Sequence, residues 1–164
     1  MDAKRALKII KCGELLALLL CLAFVFSACK SPAAPNVGAG DDKEEITEMF
    51  ISVNGNKLEV ALENNRAANA LIELLKQGDI VYTAHGNNFE IYGDIGQSLP
   101  TDNKQITSQA GDVLLWAGSN ICIFFGNNSY SYTRIGKING YSASELRALL
   151  GADDGDVQVM ISLK

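Results

Sequence analysis

The sequence predicts a mostly β protein, a small barrel of about eight short strands with two helices. Residues 110–126 contain two apolar runs without a charge, one on each side of a Gly-Ser-Asn turn. Most other runs alternate apolar and polar residues between turn signals, and two runs repeat apolar residues at helical spacing. Strands that are apolar on both faces must be covered on both faces, which places this hairpin at the centre of a closed or helix-capped sheet.

The first 28 residues have the pattern of a signal peptide. A basic start is followed by an apolar run over residues 15–26 and then by small residues. The stretch 26–29, Phe-Ser-Ala-Cys, resembles the lipobox of bacterial lipoproteins, which implies that Cys29 is lipidated and becomes the new N-terminus. The alternative is an uncleaved membrane helix, but the apolar run is shorter than the ~20 residues that such a helix needs. Both interpretations place the domain outside the cytoplasm, and the first makes Cys29 its membrane anchor in the bacterial cell envelope.

Residues 29–45 are expected to form a disordered tether between the anchor and the domain. This segment is rich in Pro, Gly, Ala and charged residues and has no apolar periodicity, so it cannot offset the entropy lost on ordering. The folded domain is then expected over residues 46–164.

Charge and cysteine content exclude several classes of function. The leader holds four of the 14 basic and two of the 19 acidic residues, so the remaining chain has 10 basic and 17 acidic residues, a net charge of −7. A nucleic-acid partner, which requires a basic face, is therefore not expected. Beyond the anchor, Cys122 is the one cysteine, and its apolar neighbours indicate a buried core residue rather than a nucleophile.

The strands of the domain follow from alternation and turn residues. A first hairpin is expected around Asn54-Gly55-Asn56, a second around His85-Gly86-Asn87, and the central one around the turn at 117–120. Residues 97–110 predict a long surface loop or a frayed edge, and residues 127–132 are loop-like. The expected strands are 46–53, 57–62, 79–84, 88–93, 113–116, 121–125, 133–138 and 157–161.

Two helices are expected, one after the second strand and one before the last. The first begins at a cap formed by Asn64 or Asn65, has an apolar stripe, and ends at Gly78. The second begins with a capping box, in which Ser142 is followed three residues later by Glu145. Each helix is expected to pack its apolar stripe on the sheet.

Three stretches, NFEIYG, AGDVLLWAGSNICIFFG and YTRIGKI, together with this order of elements, resemble the bacterial cyclophilin-like family. The resemblance covers residues 49–163 and implies the closed eight-stranded barrel with two capping helices that cyclophilins have. Members of this family occur alone, as secreted or lipid-anchored proteins, and beside flavodoxin-like domains. The family has no established general activity.

The resemblance to true cyclophilins, which are prolyl isomerases, breaks at their catalytic strand. That strand reads roughly Phe-His-Arg-Ile-Ile-Pro-Gly, and the nearest stretch here is 89–93, with Glu90 nearest the arginine position. A carboxylate cannot donate the hydrogen bonds that a guanidinium gives to the substrate. The Asn- and Gly-rich insertion that helps to hold the substrate is also missing from the short turn at 117–120. No catalytic residue is therefore assigned.

Five residues are candidates for ligand binding: Tyr92, Trp116, Tyr130, Tyr132 and Arg134. The last three occupy alternate positions and so share a strand face, which suits a peptide or a small anionic ligand. The alternative is a solvated edge strand in which Arg134 pairs with an acidic neighbour. Trp116, at the end of a strand, either lines a pocket or fills the barrel.

A metal site or a cofactor is not expected. His85, the one histidine, lies in a turn without other ligands at suitable spacing. The acidic turn 153–156 lacks the later glutamate of a calcium loop. The sequence therefore indicates an extracytoplasmic, lipid-anchored, non-catalytic binding or accessory module for a peptide or small molecule. The alternatives are a prolyl isomerase and a domain that docks a protein partner such as a redox flavoprotein.

Overall fold

The computed structural model of the protein describes residues 45–164. The expected signal peptide, the lipid attachment site Cys29 and all of the tether except Glu45 lie outside the described residues. Within the described part of the chain, no helix is long and apolar enough to cross a membrane.

The prediction of a mostly β protein with two helices is confirmed, but nine strands are described rather than about eight. All of the strand pairs are antiparallel. The elements in chain order are β1 Glu48–Val53, β2 Asn56–Leu62, α1 Arg66–Leu75, β3 Ile80–Gly86, β4 Glu90–Asp94, β5 Lys104–Thr107, β6 Asp112–Trp116, β7 Asn120–Phe124, β8 Ser129–Lys137, α2 Ala143–Leu149 and β9 Val157–Ser162.

The strands form one sheet in the order β2-β1-β9-β3-β4-β7-β6-β8-β5. One further pairing joins β2 to β8, where Ala61 lies opposite Lys137 and Leu62 opposite Gly136. β5 pairs only with β8. The three predicted hairpins are all present: β1 pairs with β2, β3 with β4, and β6 with β7.

Two segments differ from the sequence-based expectation. Residues 97–110 contain the short strand β5, and residues 129–132, expected to be loop-like, form the first part of β8 and pair with β5. We call this two-stranded unit, residues 104–107 with 129–132, the ribbon. Its strands escape prediction because they bury few side chains, chiefly Ile106 and Tyr132, and therefore show little apolar alternation.

Both helices begin at the predicted caps. The side chain of Asn65 accepts a hydrogen bond from the amide of Ala68 at 3.0 Å, and Asn65 is therefore the cap of α1. Ser142 and Glu145 form the expected reciprocal capping box at the start of α2.

The apolar residues form two separate cores. The main core receives side chains from both helices and from every strand except β5. A second, smaller core lies on the opposite face of the β6–β7 hairpin, because alternate residues of a strand point to opposite faces. It contains Ile106, Leu114, Cys122, Phe124 and Tyr132, with Phe89 and Tyr92 packed against it. The central hairpin is thus covered on both faces, as expected. The main core covers one face, and the ribbon, rather than a helix, covers the other.

Candidate functional site

A groove lies beside the second core, on the face of the sheet that the ribbon covers. Its volume is about 350 Å³, which is within the range of small-molecule sites. Alternate residues of β4 place Glu90 and Tyr92 on this face, and Trp116 reaches it from the end of β6. The full lining consists of Asn87, Glu90, Tyr92, Trp116, Asn128, Tyr130 and Tyr132.

Aromatic rings form much of the groove. Tyr92 and Trp116 meet edge to face with ring centroids 6.2 Å apart, and Tyr130 and Tyr132 meet in a similar way at 5.8 Å. Trp116 is 38% exposed and Tyr130 is 54% exposed. The structure therefore places Trp116 in the lining of the groove and in neither core. Large aromatic side chains left exposed in a concave site are typical of ligand-binding surfaces.

The charged residue of the groove is Glu90, which is only 7% exposed. Its Oε1 accepts a hydrogen bond from Nδ2 of Asn87 at 3.1 Å. Its Oε2 is buried and has no hydrogen-bond partner among residues 45–164. The thiol of Cys122 interacts with the carboxylate, but a thiol is a weak donor and does not supply the missing bond. Burial raises the pKa of Glu90, and the interactions with the Asn87 amide and then with the Cys122 thiol offset this only in part.

Asn87 holds Glu90 in place through the backbone as well. Its Oδ1 accepts hydrogen bonds from the amides of Phe89 and Glu90, both at 2.9 Å, while its amide nitrogen donates to the Glu90 side chain. The ring of Phe89 stacks nearly parallel to that of Phe124 in the second core, with centroids 6.2 Å apart. The turn before β4 therefore fixes the direction of the carboxylate.

Two other titratable groups face Glu90. Burial, and then the negative charge of Glu90, raise the pKa of the Cys122 thiol, so it is protonated at physiological pH and is a poor nucleophile. Burial and the same charge also raise the pKa of Tyr132, whose hydroxyl accepts a hydrogen bond from Nδ2 of Asn128 at 2.8 Å. Cys122 is a buried core residue, as the sequence predicted.

The structure brings together four of the five candidate ligand-binding residues. Arg134 is not among them: it lies in a separate concavity of about 480 Å³, and its guanidinium is 3.6 Å from Oδ1 of Asp112. Tyr132 lines this concavity as well as the groove, so it lies between the groove and Arg134. Of the two interpretations of Arg134, the structure supports the one in which it pairs with an acidic neighbour.

Sequence reasoning missed three residues of the groove, Asn87, Glu90 and Asn128. The sequence did contain a signal for Glu90. Glu90 and Tyr92 are alternate residues next to Phe89 and therefore share a strand face, so Glu90 puts a charge on a face that is otherwise apolar. The two asparagines had none, since asparagine is common in turns of any function.

The other two segments considered as possible sites, His85 and the acidic turn 153–156, form only pairwise contacts in the described part of the chain. Nδ1 of His85 lies 2.6 Å from Oδ1 of Asp156, and both side chains are exposed. Asp153 pairs with Arg147. Within residues 45–164, no cluster of three or more groups is arranged as a metal site.

Comparison with known proteins gives a family match and similar solved structures, among them the following two. Residues 51–162 match the family described as the cyclophilin-like family. The solution structure of a hypothetical protein from Archaeoglobus fulgidus is 21% identical with a TM-score of 0.57, and the alignment covers 74% of this chain and 99% of that chain. A structure of McbB in complex with tryptophan is 14% identical with a TM-score of 0.48, covering 70% of this chain and 44% of that chain. The first likeness supports the fold only, the second is too low to support an argument, and no curated protein matches the sequence.

Proposed function

We propose, from the premise that this chain belongs to the cyclophilin-like family, that it is a non-catalytic binding or accessory module whose groove holds a peptide or a small molecule. The observation that carries this proposal is the combination of exposed aromatic rings that line one groove and, on a residue of the same lining, a buried carboxylate oxygen without a hydrogen-bond partner among the described residues. Buried polar atoms in native proteins are normally hydrogen-bonded, so an orphan oxygen on a residue that lines a groove supports a ligand site.

The proposal includes the closed eight-stranded barrel that the family implies. The pairing of β2 with β8 supports it, because it joins the first strand of the sheet order to the eighth and leaves β5 outside that ring. The glycine at position 136 supports it too, since a side chain there would collide with the carbonyl of Ala61 in β2.

A binding role is favoured over catalysis by the chemistry of the groove. Glu90 stands nearest the position of the cyclophilin arginine and cannot donate hydrogen bonds as a carboxylate. Cys122 is protonated and shielded. A docking role for the whole domain is less favoured, because the groove is open and its rings are accessible.

The proposal also includes an extracytoplasmic location and a lipid anchor at Cys29. Its support is the pattern of residues 1–29, which has a basic start, an apolar run and a lipobox-like end. Mass analysis of the protein recovered from membranes tests it. An acylated N-terminal Cys29 is expected, and the variant Cys29→Ser is expected to lose the acyl groups. An intact, unmodified N-terminus would contradict the anchor.

The protein carries its own reporter of binding, because Trp116 is the single tryptophan of the chain and lines the groove. We would titrate the purified full-length protein with capped single amino acids, namely the acetyl amides of lysine, phenylalanine, asparagine and glutamate, and follow tryptophan emission. A saturable change with at least one of them is expected. Tyr130→Ala should weaken it, whereas Tyr141→Ala, which removes an exposed tyrosine outside the groove, should not. No saturable change with any of the four would contradict the binding proposal.

Prolyl isomerisation remains the alternative, and it has a direct test. A proline-peptide exchange assay with the full-length protein is expected to give the uncatalysed rate. A faster rate that depends on protein concentration and is lost in a groove variant such as Tyr130→Ala would favour the isomerase instead.

A further inference from the structure

We propose that the groove recognises an organic cation, whose ammonium or guanidinium group pairs with the carboxylate of Glu90 among the surrounding aromatic rings. This inference rests on the proposed binding function and names the chemical class of its ligand. It reverses the expectation of an anionic ligand, which depended on placing Arg134 in the site.

The first argument is the missing partner of Glu90. The carboxylate has one hydrogen bond, from Asn87, and its other oxygen is buried without one in the described part of the chain. An unpaired buried charge is unfavourable unless a donor reaches it. Because Glu90 lines the groove, a ligand bound there lies next to this carboxylate. A cationic donor forms the strongest hydrogen bond with a carboxylate.

The second argument is the aromatic lining. Tyr92 and Trp116 form one edge-to-face pair, and Tyr130 and Tyr132 form the other. The face of an aromatic ring carries negative potential and attracts cations, and groups of such rings recognise ammonium compounds. The rings and the carboxylate therefore favour the same sign of ligand charge.

The third argument is the absence of a competing cation. None of the seven residues of the lining is basic. Arg134 and Lys137, on the same strand as two of the tyrosines, both pair with Asp112. Cys122 from β7 and Tyr132 from β8 face Glu90, and both have raised pKa values and stay neutral at physiological pH. Glu90 is thus the one charged group of the lining, and an anionic ligand would meet repulsion there.

The size of the groove limits the ligand. A volume of about 350 Å³ holds a small amine or a single basic side chain, not a folded partner. The side-chain amide of Asn128, whose nitrogen donates to Tyr132, offers its oxygen as a neutral hydrogen-bond partner for the rest of the ligand.

Three four-carbon probes test the sign of the ligand charge, namely n-butylammonium, butyramide and butyrate. We would titrate each into the full-length protein at constant ionic strength and follow Trp116 emission. A saturable change is expected with n-butylammonium, and much weaker changes with the other two. Glu90→Gln should weaken n-butylammonium by roughly thirtyfold or more, as expected for removal of one partner of a buried charge pair. Glu59→Gln, the same change at an exposed position of β2, should leave the affinity unchanged.

The contrary outcomes separate this inference from the proposed function. Butyramide binding as tightly as n-butylammonium would mean that Glu90 acts as a neutral acid, and preferred binding of butyrate would mean an anion site. Either result overturns the cation assignment and leaves the groove a binding site. If none of the probes binds, the cation assignment also falls, and the capped amino acids decide the binding role separately. Tyr130→Ala gives a second variant, at an exposed position where the fold does not depend on the side chain.

Discussion

Replacing Glu90 with glutamine should stabilise the protein at neutral pH, although it removes the carboxylate that we propose to bind the ligand. The isosteric amide keeps an oxygen for the hydrogen bond from Asn87 and removes the charge from a site that is only 7% exposed. An unsatisfied buried polar group costs about 1–3 kcal/mol, and more if it is charged. Because the new amide nitrogen also lacks a good partner, we expect the lower end, a gain of about 1 kcal/mol. That corresponds to roughly 4 °C in Tm for a domain of this size.

The gain should depend on pH in a defined direction. The folded state raises the pKa of Glu90 above its ordinary value of 4.5, so it binds the proton more tightly than the unfolded chain does. The resulting stability is fully present below pH 4.5 and is lost as the pH rises through the folded-state pKa. The difference between Glu90→Gln and the wild type should therefore be small below that pH and reach its full size above the folded-state pKa.

Urea unfolding at a series of pH values measures this difference as a shift in midpoint at constant slope. Glu59→Gln is the matched control, since it changes the net charge equally at an exposed position. Glu90→Gln being less stable than the wild type at pH 7, or a difference that does not vary with pH, would refute the reasoning. A variant that is more stable yet binds less well is the usual mark of a residue kept for function.

Three further variants test the cap of α2, the close approach of β3 and β4, and the second core. Ser142→Ala removes the capping box of α2 and should lower the free energy of unfolding, measured in urea, by about 1 kcal/mol; an unchanged free energy would contradict the cap. Gly93→Ala places a methyl group against the carbonyl of Thr83 and should cost about 1–3 kcal/mol by overpacking, so an unchanged Tm would contradict the close approach of β3 and β4. Phe124→Ala empties the centre of the second core and should cost about 3–5 kcal/mol, and a loss below 1 kcal/mol would show that this core contributes little.

Sequence patterns predict the parts of this fold in which local chemistry and burial agree. The apolar alternation of β1, the Asn-Gly turn after it, and the capping box at Ser142 each specify one local structure, and each is present. The ribbon is different, because its strands bury few side chains and pair over a distance of more than twenty residues. Nothing local distinguishes such strands from a polar loop.

The candidate site shows a similar division. Alternation along β8 predicts that Tyr130, Tyr132 and Arg134 share one face. The two tyrosines line the groove, whereas Arg134 lines the next concavity, to which Tyr132 also contributes. Glu90 is visible in the sequence as a replacement for an arginine. Its burial, its orphan oxygen and its position among the aromatic rings depend on contacts between β4, β7 and β8, and no sequence pattern encodes these.

The most direct test of the central claim is the ionisation of Glu90 itself, followed through the ¹³C chemical shift of its side-chain carboxyl as the pH is changed. In the free protein the carboxyl is expected to titrate above its ordinary value of 4.5. With n-butylammonium in the groove the midpoint should move down, because a neighbouring positive charge favours the carboxylate. A midpoint at the ordinary value that the amine does not change would contradict a buried, ligand-seeking carboxylate.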